Sequence, residues 1–304
     1  FWFQSQVKSK YTVYVRNGAF LIITLVKIIL ILTRSPLIAF ACAGLAEIVA
    51  GAVGLVFTYR LHGYSLNKWR MSLPYAKELL ADSWPLICSC LAVGFFMKID
   101  QVMLREMIGS ESAGIYAAAT RISEIWYFIP IIIVSSVSPA IVDAKKIGED
   151  IYYRRLRKLF QFTAGLAFAI AIPTTVLSKY FVLLLFGKSY AAAGPILAVH
   201  IWAALFYFLG IVQGPWNVTE GLTNLSLKRT LITAAVNIVL NFILIPAYSG
   251  IGAAISTVVA YFCGAFLANG IDARSRQIFY LQIESIFFVQ LFKRVIAKTT
   301  CRSL

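Results

Sequence analysis

Long runs of apolar residues, separated by short polar and basic stretches, fill the chain from residue 18 to residue 272. A helix that crosses a membrane needs about 20 mostly apolar residues, whereas membrane strands give short alternating segments. The continuous runs therefore predict helices. We predict eight membrane-spanning helices, at residues 18–34, 36–58, 84–107, 113–141, 158–178, 194–217, 229–246 and 250–272.

The composition agrees with this pattern. Hydrophobic residues make up 60% of the 304-residue chain and charged residues 13%, whereas a soluble domain has about 45–50% and 25%. The predicted fold class is an all-α, polytopic membrane helix bundle. The five cysteines show no spacing typical of a disulfide framework or a metal site, so we expect no bound metal.

The positions of the basic residues predict the orientation in the membrane. When the predicted loops are assigned alternately to the two sides, 21 of the 28 lysines and arginines fall on one side. Only four fall on the other: Arg34, Arg105, Lys179 and Lys188. Since basic loops stay in the cytoplasm, both ends of the chain are predicted to be cytoplasmic. The net charge of +15 is then a topological signal and does not indicate a nucleic-acid partner.

One long basic connection divides the chain. Its segment "PYAKELLADSW" is typical of an amphipathic helix on the membrane surface. Because the chain lacks an initiator Met and opens with "FWFQSQVKSK", we interpret it as an amino-terminally truncated piece of a longer protein, inactive by itself. We predict four parts: the last two helices of a first lobe (1–59), a cytoplasmic linker (60–83), a six-helix lobe (84–272) and a basic tail with an amphipathic helix near 280–297 (273–304).

Ionisable side chains inside the predicted helices are the main candidates for function. A charge at the centre of a membrane helix costs about 2.5–3.5 kcal/mol, so such groups face one another or a water-filled cavity. Intramembrane charge is also a functional hypothesis by default. Six residues qualify: Lys27, Glu47, Lys98, Asp100, Arg121 and Glu124.

The helical rise places four of these residues at matching depths. At about 1.5 Å per residue, Lys98 and Asp100 lie level with Arg121 and Glu124 on the next helix. We expect a hydrated central cavity that Gln101 also lines, with contacts such as Asp100 to Arg121 or Lys98 to Glu124. For Lys27 and Glu47 two interpretations stay open, an interhelical ion pair or membership of the cavity.

Other polar features are weaker. His200 lies alone in an apolar run and is either a hydrogen-bonded core histidine or part of a proton relay. Pro130 and Pro173 predict helix kinks, which can be static or belong to moving helices. No catalytic residues are predicted, since the chain shows no nucleophile–base pattern and no phosphate-binding glycine loop.

Three stretches resemble a known family. The segments "KIDQVMLREMIGSESAGIYAAATRISEIWYFIP", "AGPILAVHIWAALFYFLG" and "RTLITAAVNIVLNFILIPAYSGIGAAISTVVAY" are similar to Wzx-type O-antigen or polysaccharide flippases. These belong to the multidrug/oligosaccharidyl-lipid/polysaccharide (MOP) exporter superfamily. The resemblance implies a MATE-like fold with two six-helix lobes, of which this chain would carry the last eight helices.

The resemblance also implies a function. The family moves undecaprenyl-diphosphate-linked oligosaccharide from the cytoplasmic to the periplasmic leaflet of the bacterial inner membrane by alternating access. Cavity cations, here Lys98, Arg121 and Lys27, would bind the pyrophosphate. Asp100, Glu124 and Glu47 would hold these cations or couple transport to protons or sodium, with no other cofactor.

Candidate partners are the lipid-linked glycan, membrane lipid, a polysaccharide polymerase and a chain-length regulator. Two alternatives stay open, namely a cation-coupled multidrug antiporter of the same superfamily and a structural membrane protein without transport activity.

Overall fold

The computed structural model describes residues 9–62, 64–65 and 72–287. Within these ranges every regular element is a helix, which confirms the all-α prediction. The chain divides into two compact units, residues 1–79 and 80–304.

The first unit contains two long antiparallel helices, α1 (Ser9–Leu32) and α2 (Leu37–Leu61). The ring of Tyr11, near the start of α1, lies 4.4 Å from that of His62, just after α2. At Gly54 a Cβ would come within 2.6 Å of Val15 Cγ1, so the glycine allows close helix packing. Most large apolar side chains of this unit are exposed, as expected for surfaces that face lipid.

The second unit carries the rest of the helices, although α3 begins within the first unit. Positive φ angles at Gly109 (127°) and Gly187 (80°) end α3 and α6, where glycine avoids the strain of a Cβ. The helices are α3 (Leu73–Met107), α4 (Ser110–Glu124), α5 (Phe128–Ile147), α6 (Glu149–Phe186), α7 (Ala193–His200), α8 (Ala203–Thr219), α9 (Thr223–Tyr261), α10 (Ala268–Ile271) and α11 (Arg276–Ile286).

Helix α9 doubles back on itself at Ser249, whose φ of 49° and ψ of −130° are not helical. A Cβ on Gly252 would overlap the carbonyl of Leu244, and one on Gly264 would overlap the side chain of Thr233. These contacts pair residues that are nearly equidistant from Ser249. The two halves of α9 therefore run antiparallel, and they correspond to the predicted helices 229–246 and 250–272.

Within the described ranges, six helical stretches are long and apolar enough to cross a membrane: Tyr11–Leu32, Ile38–Leu61, Ser110–Ile147, Glu149–Phe186, Ala193–Thr219 and Asn224–Ile271. The difference from the predicted eight has a structural origin in part, since the last stretch turns back at Ser249 and holds two of the predicted spans. Helix α3 is not among the six, so its membrane crossing stays a prediction.

Two apolar clusters form the core of the second unit. One joins α5, α6, α8 and α11 around Phe160, Phe208 and Trp216. The other joins α3, α4, α7 and α9, and it includes many alanines, such as Ala119 and Ala253, which allow close approach of helices. The second cluster surrounds the polar centre described below.

The end of the described chain is tied to this core. A π-helical turn, Phe262–Leu267, leaves the carbonyl of Ala265 available to accept hydrogen bonds from the side-chain amides of Gln213, Asn269 and Gln282 at 2.7–3.0 Å. Gln282 lies on α11, which packs against α6. The predicted amphipathic helix near 280–297 falls mostly outside the described residues, which end at 287.

Replacing Gly264 with alanine should destabilise the α9 hairpin. The added Cβ would overlap Thr233 Oγ1 and lie 2.9 Å from the Arg229 carbonyl oxygen, and overpacking of this kind costs about 1–3 kcal/mol. The measurement is the thermal unfolding midpoint in detergent. Gly214→Ala is the control, because nothing lies within 4 Å of its Cβ position. Equal midpoints for the two variants would contradict the close packing.

Candidate functional site

A buried carboxylate, Asp100 on α3, lies at the centre of the second unit and is only 4% exposed. Three side chains donate hydrogen bonds to it. The Tyr116 hydroxyl and the Thr257 hydroxyl reach Oδ2 at 2.7 and 2.6 Å, and Asn241 Nδ2 reaches Oδ1 at 2.6 Å. All three donors are neutral, and within the described part of the chain no basic side chain lies within 4 Å of the carboxylate.

The fold explains why these residues meet. Asp100 lies seven residues before the end of α3 and Tyr116 six residues into α4, so both are roughly 10 Å from the turn that joins the two helices. Asn241 and Thr257 lie eight residues on either side of Ser249, so the α9 hairpin brings them level with each other. Three helices thus converge on one carboxylate.

A second asparagine extends the polar centre. Asn237 lies one turn from Asn241 on α9 and accepts a hydrogen bond from it at 3.2 Å. Asn237 Nδ2 and Asn241 Oδ1 are buried without a partner. Unsatisfied buried amide atoms are costly, and their position next to Asp100 indicates a site that can take up a further polar ligand.

A small cavity of about 10 Å³ adjoins Asp100, with room for about one water molecule or ion. Glu124 and His200 line the same cavity. His200 is buried, its Nδ1 lies 3.0 Å from Ser123 Oγ, and its ring lies 5.9 Å from that of Tyr116. The histidine therefore has a hydrogen-bond partner in the core and also lies next to the side chains that hold Asp100.

The predicted contacts between Asp100 and Arg121 and between Lys98 and Glu124 are wrong. Among the described residues neither Lys98 nor Arg121 has a carboxylate within 4 Å, and both are exposed. Their charges act on half-buried Glu124 from a longer distance. Matching depths along two helices do not ensure that their side chains meet. Here Arg121 points away from the face of α4 that carries Tyr116, Thr120 and Ser123. Gln101 is half-buried and does not line the Asp100 cavity.

Lys27 and Glu47 pair with each other in the first unit. Lys27 Nζ lies 2.9 Å from Glu47 Oε2, and the two side chains are 36% and 31% exposed. Glu47 also lines a cavity of about 380 Å³ together with Arg16. This pair matches the ion-pair interpretation of the two residues.

Reversing one charge of this pair should impair folding, and reversing both should restore it. Lys27→Glu puts two carboxylates together between apolar helices, where like charges repel each other. The double exchange Lys27→Glu with Glu47→Lys rebuilds the pair. The readout is the yield of monodisperse protein in detergent. A double variant that folds but does not support transport would indicate that Lys27 also acts on substrate, whereas a single variant that folds normally would contradict the pairing.

Sequence reasoning missed several buried polar residues of the second unit, among them Asn237, Asn241 and Arg229. Asn237 and Asn241 are separated by four positions in the apolar run "VNIVLNFIL", a spacing that could have marked them as one polar helix face. Arg229, at the start of the predicted helix 229–246, was counted among the 21 basic residues of the cytoplasmic side. In the structure it is only 5% exposed and donates to Gln213 and Asn217 on α8.

The comparisons with known proteins agree with this architecture. Residues 85–243, more than half of the chain, match the MatE family model. The chain belongs to the MatE family. The model of a polysaccharide biosynthesis protein matches residues 2–145 of this MatE-family chain. The resemblance to the MOP exporter superfamily is thereby confirmed.

Three curated relatives are similar to parts of the MatE-family chain. Capsular polysaccharide biosynthesis protein CapF of Staphylococcus aureus is 26% identical over 61% of this chain and 47% of its own length. Probable flippase AglR of Haloferax volcanii is 29% identical over 56% of this chain and 36% of its own length. Uncharacterized membrane protein MJ1068 of Methanocaldococcus jannaschii is 33% identical over 31% of this chain and 19% of its own length.

The matched region spans less than half the length of each of these relatives. No solved structure is a significant match.

Proposed function

We propose that this MatE-family protein is a flippase that moves a lipid-linked oligosaccharide across the membrane for surface polysaccharide assembly. The observation that carries the proposal is the match to the polysaccharide biosynthesis family, together with relatives whose names include capsular polysaccharide biosynthesis and flippase. The protein is then a transporter rather than an enzyme. The expected substrate is an undecaprenyl-diphosphate-linked repeat unit, with a polymerase and a chain-length regulator as further partners.

The proposed headgroup contacts are Lys98 and Arg121. Neither cation has a carboxylate within 4 Å among the residues that the structure describes, so their charge is available to a pyrophosphate. The charges of both residues act on half-buried Glu124 from beyond 4 Å. Lys27 contributes less, because Glu47 already neutralises it.

The proposed coupling site is Asp100. Hard cations such as sodium prefer oxygen ligands. The hydroxyl oxygens of Tyr116 and Thr257 lie 2.7 and 2.6 Å from the Asp100 carboxylate, and Asn241, which donates to the carboxylate, also has a buried amide oxygen without a partner. A sodium ion or a proton would neutralise the buried carboxylate and release its hydrogen-bond donors. Since Asn241 and Thr257 lie on the two halves of α9, this change would reach the whole hairpin.

The proposed location is the bacterial cytoplasmic membrane, with both ends of the chain in the cytoplasm. The support is the distribution of basic residues, 21 on one side against four on the other. Arg229 is buried and so no longer counts among the basic residues of the cytoplasmic loops, but these loops still carry most of the lysines and arginines.

A second candidate, a cation-coupled antiporter of small molecules, is favoured by the MatE match over residues 85–243 and by the buried Asp100 centre.

Genetic complementation separates the flippase from the antiporter. The protein, expressed from its complete gene in a strain that lacks its own polysaccharide flippase, should restore surface polysaccharide and remove the backlog of lipid-linked repeat units. Resistance to toxic cations without restored polysaccharide, in cells that contain the inserted protein, would overturn the flippase proposal.

A further inference from the structure

Arg229, near the start of α9, is a buried cation held only by neutral groups. Its Nη1 donates to Gln213 Oε1 at 2.8 Å and to Asn217 Oδ1 at 3.2 Å, both on α8. The guanidinium carbon lies 5.9 Å from the centre of the Trp216 ring. These contacts fix the position of the guanidinium group but do not balance its charge.

The opposite edge of the guanidinium is unsatisfied. Nε and Nη2 are both buried and have no hydrogen-bond partner. These two nitrogens form the edge with which arginine binds a carboxylate or phosphate through two parallel hydrogen bonds. A buried charge without such a partner is strongly unfavourable, so the edge is suited to an anion that the chain itself does not supply.

The Nε and Nη2 edge of Arg229 has no acidic side chain beside it in the described part of the chain, where no carboxylate lies within 4 Å of this arginine. Asp272 acts on its charge only from a longer distance. Asp272 is bound by Arg274 instead, with Nη2 at 2.9 Å from Oδ2, and the hydrogen bonds from Arg274 lower the pKa of Asp272 to about 2.

A cavity of about 170 Å³ adjoins Arg229, several times the room that one water molecule needs. Its described lining contains no carboxylate and includes the hydroxyl-bearing side chains of Ser226, Thr230 and Thr233. The Thr230 and Thr233 hydroxyls already donate to the backbone carbonyls of Ser226 and Arg229. The guanidinium group is therefore the donor in this cavity that suits the oxygens of a phosphate. Tyr261 lines both this cavity and the one next to Asp100, yet the two cavities have opposite chemical character.

We propose that the Arg229 cavity is a binding site for a phosphate group, supplied either by a phospholipid headgroup or by free phosphate. The free Nε and Nη2 edge of Arg229 binds two phosphate oxygens. This binding requires no transport activity, so its test is independent of the proposed function.

The test is thermal unfolding of the purified protein in a neutral detergent, with three additives. Inorganic phosphate tests the free anion, dioctanoyl phosphatidic acid tests the lipid phosphate, and dioctanoylglycerol supplies the same tails without phosphate. We expect phosphatidic acid, phosphate or both to raise the unfolding midpoint, and dioctanoylglycerol to leave it unchanged. A response to phosphatidic acid alone identifies a lipid headgroup, and a response to inorganic phosphate identifies the free anion. No response to either phosphate would overturn the proposal.

Two variants locate the binding. Arg229→Gln should weaken the apparent affinity for the active additive at least about tenfold, as expected for the loss of charged hydrogen bonds. Arg154→Gln, which changes an exposed arginine of α6, is the matched control and should bind as the unchanged protein does. If Arg229→Gln does not fold, Val93→Trp narrows the cavity without touching the arginine. A folded Arg229→Gln or Val93→Trp variant that binds with full affinity would contradict the site.

Discussion

Asp100→Asn should abolish transport while leaving the protein folded. Asparagine has nearly the same shape, so it can remain among Tyr116, Asn241 and Thr257, but it cannot be neutralised by a cation. We expect transport to fall at least about a hundredfold, because the gain or loss of charge at this carboxylate is the proposed coupling step. Surface polysaccharide and lipid-linked intermediates, measured in the complemented strain, report the loss.

The thermal midpoint separates this effect from simple destabilisation. Asparagine removes the cost of burying a charge but also weakens three charge-assisted hydrogen bonds, and these changes oppose each other. We therefore expect a midpoint shift of only a few degrees. Asp143→Asn, an exposed aspartate paired with Lys146 at 3.1 Å, is the control and should transport normally. A folded Asp100→Asn protein with normal transport would refute the role of Asp100.

Replacing Lys98 and Arg121 together with alanine should produce the second-largest loss. Each cation is proposed to donate charged hydrogen bonds to the pyrophosphate, and such bonds contribute about 1.5–3 kcal/mol each. We expect each single variant to lower the transport rate roughly 10- to 100-fold, and the double variant to lower it further. Folding should not suffer, since both side chains are exposed.

The matched control for this pair is Arg105→Ala, which removes an exposed cation of α3 two turns beyond Lys98. Its transport should stay within a factor of two or so of the unchanged protein, the ordinary range for a surface substitution. A double variant of Lys98 and Arg121 that transports as well as this control would show that the headgroup binds elsewhere.

The positions of the long membrane helices followed from the sequence because these helices coincide with long apolar runs. Helix α9 illustrates this, since both of its halves were predicted with the break between residues 246 and 250. Asp100 was also found from sequence alone, because a carboxylate in an apolar run is costly unless the fold gives it partners.

The partners of Asp100 could not be found in the same way. Depth along a helix follows from residue number, but the direction of a side chain depends on how the helix is rotated in the bundle. Arg121 and Tyr116 lie within 8 Å of each other along α4 by their rise, yet only Tyr116 faces Asp100. Asn241 and Thr257 required the tertiary fold of the α9 hairpin.

Arg229 was overlooked for a different reason. A basic residue at the edge of an apolar run, next to Lys228, is usually a membrane-boundary anchor. Its burial depends on Gln213 and Asn217, two polar residues four positions apart in the apolar helix α8. That polar pair is the signal in the sequence that would have indicated a buried partner.

Translocation in reconstituted vesicles tests the central claim most directly. The protein, expressed from its complete gene, would be placed in liposomes that contain an undecaprenyl-diphosphate oligosaccharide, and the glycan reaching the opposite leaflet would be measured with and without a sodium or proton gradient. The account predicts that one of these gradients accelerates translocation and that Asp100→Asn removes the acceleration. Translocation by Asp100→Asn at the unchanged rate, with the same response to the gradient, would contradict it.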